Sequence, residues 1–230
     1  MKYLSFFLLT FTFFGFAHAQ NPIAGEPRMF FSAGFVTPQY FGGTELLRGQ
    51  DLRDAGLSYY ENGNGERQQV GNYGTNTGFS LSIGYYVPVK QIKGLSMGAL
   101  VNSGQTGSTP SNEGYAEGYY FNFLNFGVGV QYYPFEKTNL YVEGEIGMGS
   151  VFTKNRFVNA SGEQDFLHHF GIGLEGGAGI GYTFTPFSNK SIGLFVEGTY
   201  QLYGTRVEVS GIGNDPWRFG ALHIAGGSSF

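Results

Sequence analysis

The chain has 230 residues, with 39 glycines, 24 phenylalanines, 16 tyrosines and no cysteine, and only 13% of it is charged, about half the share of an ordinary soluble domain. Abundant glycine and aromatics favour strands over helices, while the lack of thiols excludes disulfides, Cys-based metal sites and thiol redox chemistry. With 17 acidic against 13 basic side chains, nucleic acid is an unsuitable partner.

Lys2 precedes an apolar run over 4–17 and the small-x-small sequence Ala17-His18-Ala19, so residues 1–19 read as a secretory signal peptide cleaved before Gln20. The run is too short for a spanning helix, which needs ~20 apolar residues. Cleavage removes Lys2 and leaves 12 basic against 17 acidic residues, a net charge of −5. Residues 20–27 are expected to form a short periplasmic segment, followed by one domain over 28–230.

Within that domain the period is two. A first strand is predicted over about 29–37, followed by a long polar loop over 38–76. That loop holds Asn62-Gly63-Asn64-Gly65 between Tyr59-Tyr60 and Gln68-Gln69, the signature of a hairpin. On the second strand Phe79, Leu81, Ile83, Tyr85 and Val87 oppose Gly78, Ser80, Ser82 and Gly84. A third strand covers 94–103. On the fourth, Leu124, Phe126, Val128, Val130 and Tyr132 oppose Asn125, Gly127, Gly129 and Gln131. The fifth sets Leu140, Val142, Ile146 and Met148 against Glu143, Glu145, Gly147 and Gly149. The sixth alternates almost without fault over 167–185, with Phe170, Ile172, Leu174, Ile180 and Tyr182 on one face and His169, Glu175 and glycines on the other. The seventh sets Leu194, Val196, Tyr200 and Leu202 against Glu197, Thr199 and Gln201, and the eighth runs from 218 to 230.

Strands of this length exceed the usual ~5–6 residues and suit a tilted membrane crossing, which takes ~9–11. In hydrocarbon every backbone polar group must be paired, so spanning strands must close into a barrel. Short connections at Pro88, Pro134 and Pro186, each followed by a lysine (Lys90, Lys137, Lys190), read as periplasmic turns. The polar stretches 38–76, 104–118, 154–166 and 205–217 read as extracellular loops. A weak hairpin repeat links Tyr133-Pro134-Phe135 through Val142-Glu143-Gly144 to Thr185-Pro186-Phe187 through Val196-Glu197-Gly198. The fold expected is all-β: an eight-stranded antiparallel, up-and-down transmembrane barrel, with a ten-stranded barrel as the variant should the first loop enter the membrane.

These strand patterns, the Val-Glu-Gly repeat and the terminal Phe230 resemble the small outer-membrane β-barrel families of the OmpA/OmpX type, also described as outer-membrane β-barrel or porin-family domains. The resemblance implies a bacterial outer-membrane location, contact with outer-membrane lipid and lipopolysaccharide, and recognition of Phe230 by the barrel-assembly machinery. It further implies a structural or surface-interaction role.

The inward parity collects Glu143, Glu145, Glu175 and Glu197, while no Lys or Arg falls in a central strand span. Four carboxylates in a narrow lumen repel one another. His169, His223 and Arg28 are the expected relieving cations, and Tyr133, Tyr141 and Tyr203 the expected phenolic donors. Such a polar network fills the interior and sets register; the alternative is a narrow cation or small-solute pathway. A second alternative is lipid A acyl chemistry through His168 and Ser150, although no lipid-facing carboxylate completes a triad. Not one residue is assigned a catalytic, cofactor-binding or metal-ligating role. Residues 38–76, with their mixed charges, are the candidate contact surface for a ligand outside the cell.

Overall fold

A computed structural model describes residues 26–40, 59–61, 67–69, 77–108, 111–112, 115–135, 138–158, 161–184, 192–209 and 213–230. Residues 1–25, and with them the signal-peptide reading, lie outside this set, as does most of 38–76. Eight long strands build the molecule: β1 Arg28–Tyr40, β2 Gly78–Pro88, β3 Leu95–Ser108, β4 Tyr115–Tyr132, β5 Leu140–Val158, β6 Gln164–Phe184, β7 Gly193–Val209 and β8 Gly213–Ser229. Each is antiparallel to its neighbours in the chain, and β8 returns to pair with β1, so the sheet closes without an edge. The eight-stranded barrel expected from the alternation is therefore the fold.

Register fixes the barrel's geometry. Moving strand to strand from Phe30 through Gly84, Leu100, Gly127, Gly147, Glu175, Tyr203 and Phe219 returns to β1 at Tyr40, ten residues along from the start. With eight strands this stagger tilts them by ~40° from the barrel axis and leaves an interior that side chains can fill. The start of β1 and the residue after β8 share one rim: Phe230 and Met29 exchange backbone bonds at 2.9 and 3.0 Å. At this rim the β2–β3 turn is tight, with Val89 N donating to Leu95 O at 2.8 Å. Gly94 there adopts φ +81°, a conformation that side-chain-bearing residues rarely take.

The hairpin in the first loop forms as expected, Tyr59 pairing Gln69 and Glu61 pairing Arg67, in a separate two-stranded sheet. It does not join the barrel, so the ten-stranded variant is not formed among the described residues. The other three loops need correction. Most of 104–118, 154–166 and 205–217 is strand: β3 continues to Ser108, β5 to Val158 and β7 to Val209, and β4, β6 and β8 begin at Tyr115, Gln164 and Gly213. The reason is that these hairpins continue past the apolar band with their face pattern reversed, so they lack the alternation expected of lipid-facing strands.

Lower down, the predicted faces hold. Phe35, Leu81, Phe126, Ile146, Leu174, Ile180 and Ile224 all face outward, with Leu174 70% and Ile146 66% exposed. On β6 the outward row from Tyr182 to Ile172 spans ten residue steps, ~33 Å along the strand and ~25 Å along the axis at this tilt, which matches the apolar band of a membrane barrel. Toward the hairpin end the interior is apolar instead. Val36, Phe121, Phe123, Val151, Tyr203, Val207, Trp217, Phe219 and Ala221 form one buried cluster. A smaller cluster of Phe30, Tyr86, Leu100 and Phe195 closes the end where Met29 meets Phe230.

Candidate functional site

Between these two apolar layers lies a polar one, supplied by inward positions of β1, β3, β5, β7 and β8. Glu143 accepts a hydrogen bond from Thr199 Oγ1 at 2.5 Å. Glu145 accepts from Asn102 Nδ2 at 3.0 Å and from the Gln201 amide. Glu197 accepts from the Tyr141 hydroxyl at 2.8 Å and from Ser32 Oγ at 3.5 Å. The tyrosine reaches it because Tyr141 lies flat over Gly181, where a Cβ would sit 2.2 Å from the ring. Three of the four predicted glutamates are thus brought together, each held by neutral donors on other strands.

Glu175 stands higher, level with Tyr203 in register. Its nearest donors are engaged elsewhere: Asn125 Nδ2 bonds to the Tyr203 hydroxyl at 2.7 Å, and that hydroxyl donates to Gln201. Among the described residues neither carboxylate oxygen of Glu175 has a hydrogen bond of ordinary geometry, and Asn125 Oδ1 has none either.

The expectation that His169, His223 and Arg28 relieve the carboxylates is not met. His169 sits inside the outer apolar layer, its Nδ1 3.2 Å from Thr153 Oγ1 and its ring 5.8 Å from Trp217. His223 borders the same cavity as Glu143, Glu145 and Glu197, but its ring packs edge-on to Phe123 at 5.7 Å and Nε2 has no partner among the described residues. Arg28 lies at the terminal rim with Tyr133 and Tyr141. Hydrogen bonds from uncharged side chains satisfy the three lower carboxyl groups without introducing a second charge into the interior. Of the tyrosines, Tyr141 serves a glutamate, Tyr203 serves Gln201 and Tyr133 pairs with Thr183 at 3.2 Å. Asn102, Thr199, Gln201 and Ser32 were not foreseen as the partners. Their inward parity was the available signal, but the pairing depends on register across non-adjacent strands.

A cavity of about 20 Å³ lies among Glu143, Glu145, Glu197, Thr199 and His223, and another of about 20 Å³ lies beneath it beside Arg28, Gln131 and Tyr133. Each has room for about one water molecule. The Tyr141–Glu197 contact should carry measurable stability. Tyr141→Phe is expected to lower unfolding free energy in micelles by about 1–3 kcal/mol. The loss should shrink when Glu197→Gln is also present, and a double-mutant cycle with no coupling would contradict the bond.

The pair considered for acyl chemistry is not assembled. Lys154, not Ser150, opposes His168, and Ser150 opposes Ile172, which separates the two by four residues, ~13 Å along the strand. His168 instead stacks on Phe152, ring centroids 5.6 Å apart, and Ser150 donates to the Leu124 carbonyl at 3.4 Å.

No family model matches the chain, and no curated protein matches it. Among solved structures it is similar to Ail, the attachment invasion locus protein of Yersinia pestis, in complex with the heparin analogue sucrose octasulfate. That match has 16% identity and a TM-score of 0.46, covering 89% of this chain and 99% of that one. It is also similar to Neisserial surface protein A, at 14% identity and a TM-score of 0.45, covering 90% and 97%. The outer membrane protein OprG from Pseudomonas aeruginosa matches at 12% identity and a TM-score of 0.40, covering 90% and 97%. The eight-stranded assignment itself rests on the closed hydrogen-bonded circuit.

Proposed function

We propose that this chain is an integral barrel of the bacterial outer membrane, delivered by a signal peptide removed before Gln20. Its role is structural and surface-directed: a rigid, filled scaffold that holds its hairpins and the segment 38–76 outside the cell for contact with other molecules. Recognition of Phe230 by the assembly machinery belongs to the same reading. The observation that carries it is the ~25 Å apolar band on the outside of a closed barrel, which in water would be an exposed patch far beyond what a monomer tolerates. Fractionation of the native host should place the protein in the outer membrane with Gln20 as its first residue, and the folded form should migrate differently from the boiled form on SDS gels. A chain in the soluble fraction with no mobility shift would contradict the proposal.

Conduction is the weaker reading, because the layer around Trp217 and Phe219 lies across any route from the glutamates to the hairpin end. In planar bilayers the protein is expected to show no steady conductance. Should steps appear, Glu143→Gln with Glu197→Gln would test whether the carboxylates set cation selectivity. An acyl-transfer or deacylase role has less support still, given the separation of Ser150 and His168.

A further inference from the structure

At the upper edge of the apolar band the outer wall divides into two unlike halves. On β5 to β8 the outward side chains just above the band are cationic: Lys154 and Arg156 on β5, Arg206 on β7 and Arg218 on β8, with His168 between them on β6. Their level follows from register. Arg206 is paired with Ile172, two residues below the exposed Phe170 that ends the apolar row of β6, and Arg218 is paired with Gly204, itself opposite Leu174. Lys154 stands opposite His168, one turn of the pleat above Phe170. Because Arg206 opposes Pro216, Arg206 and Arg218 are diagonal neighbours on one face, ~7–8 Å apart at their bases. On β1 to β4 the described outward groups at the same edge are neutral, among them Thr37, Gln39, Thr77, Gln105 and Asn122; Thr37 meets Thr77 at 3.2 Å, Asn122 donates to the Phe152 carbonyl and Gln39 accepts from the Tyr200 hydroxyl.

Flexible cations directly above greasy side chains are placed where a lipid's headgroup meets its acyl chains. We infer that this crescent is a binding site for a phosphorylated glycolipid of the outer leaflet, the lipid A part of lipopolysaccharide. Its acyl chains lie along Ile172, Leu174, Leu202 and Leu222, and its phosphates are held by Arg206 and Arg218. The inference rests on the outer-membrane reading and sharpens it by naming one side of the barrel. Guanidinium groups suit the task because they bind phosphate oxygens through two parallel N–H donors. The confinement to four strands implies one preferred orientation of the lipid rather than an even shell.

The test uses the full mature chain in nanodiscs doped with bisphosphorylated lipid A, dephosphorylated lipid A or phosphatidylglycerol, with bound lipid counted by native mass spectrometry. Bisphosphorylated lipid A should be retained preferentially, and Arg206→Gln with Arg218→Gln should lower that retention about tenfold or more. Lys90→Gln with Lys93→Gln, at the opposite rim, should leave it unchanged. Equal retention by the arginine variant, equal retention of the dephosphorylated lipid, or an equal loss in the lysine variant would each overturn the site. Mobility of the same samples on unboiled gels separates the two levels of inference. A folded barrel without lipid A preference overturns the crescent alone, whereas a chain that never folds in the disc overturns the membrane reading and the crescent with it.

Discussion

Ile146→Arg should cost the barrel about 2–4 kcal/mol of folding free energy in lipid, while Gln105→Arg should cost no more than about 1 kcal/mol. Both positions face outward and both are exposed. They differ in depth: Ile146 is opposite Gly176, near the middle of the apolar band on β6, whereas Gln105 lies at its upper edge beside Phe79. In a water-soluble sheet an arginine at a position that is 66% exposed would be harmless and would improve solubility. In a bilayer the guanidinium must be dragged out of water or must pull water and headgroups inward, and both are costly at the midplane. Urea titration of the refolded variants in lipid vesicles measures the difference. Equal stability of the two variants would mean that the outer face does not meet hydrocarbon, and the membrane reading would fall with it.

Phe219→Ala should be more damaging still, with an expected loss of about 3–5 kcal/mol. Phe219 is fully buried, stacked on Tyr203 with centroids 4.4 Å apart and planes at 10°, and met edge-on by Phe121 at 4.8 Å. Truncation removes both contacts and opens a void that stiff neighbouring strands, bonded all round the barrel, cannot close. Phe219→Leu keeps most of the volume and should lose less. Chemical denaturation in micelles decides the matter. A Phe219→Ala protein as stable as the parent would show that the outer layer is not a packed core, and the argument against conduction would lose its support.

Much of the candidate site was readable from spacing alone. Glu143, Glu145, Glu175 and Glu197 share the parity opposite to Ile146, Leu174 and Val196, so their inward direction needed only the two-residue repeat. What served them was not readable. Thr199 reaches Glu143 and Gln201 reaches Glu145 across the intervening strand β6, contacts fixed by a ten-residue stagger that no local pattern encodes. His169 and His223 illustrate the same limit. Their parity was right, yet height along the strand put one among Thr153 and Trp217 and turned the other toward Phe123, away from the role of counter-charge.

Local alternation by itself determined that long strands exist, that they number eight and that one side of each is apolar, because side chains on an extended chain must point alternately to two faces whatever surrounds them. Only the closed barrel decided what each face meets at each height. Within the band, Leu202 and Ile172 point out and Gln201 points in. Above it, Arg206 and Arg218 point out and Val207, Trp217 and Phe219 point in. The solvent outside changes from hydrocarbon to water at that level, so the same two-residue repeat reverses its polarity. Linear reading takes the reversal for loop. Three-dimensional closure shows it as one continuous wall crossing an interface.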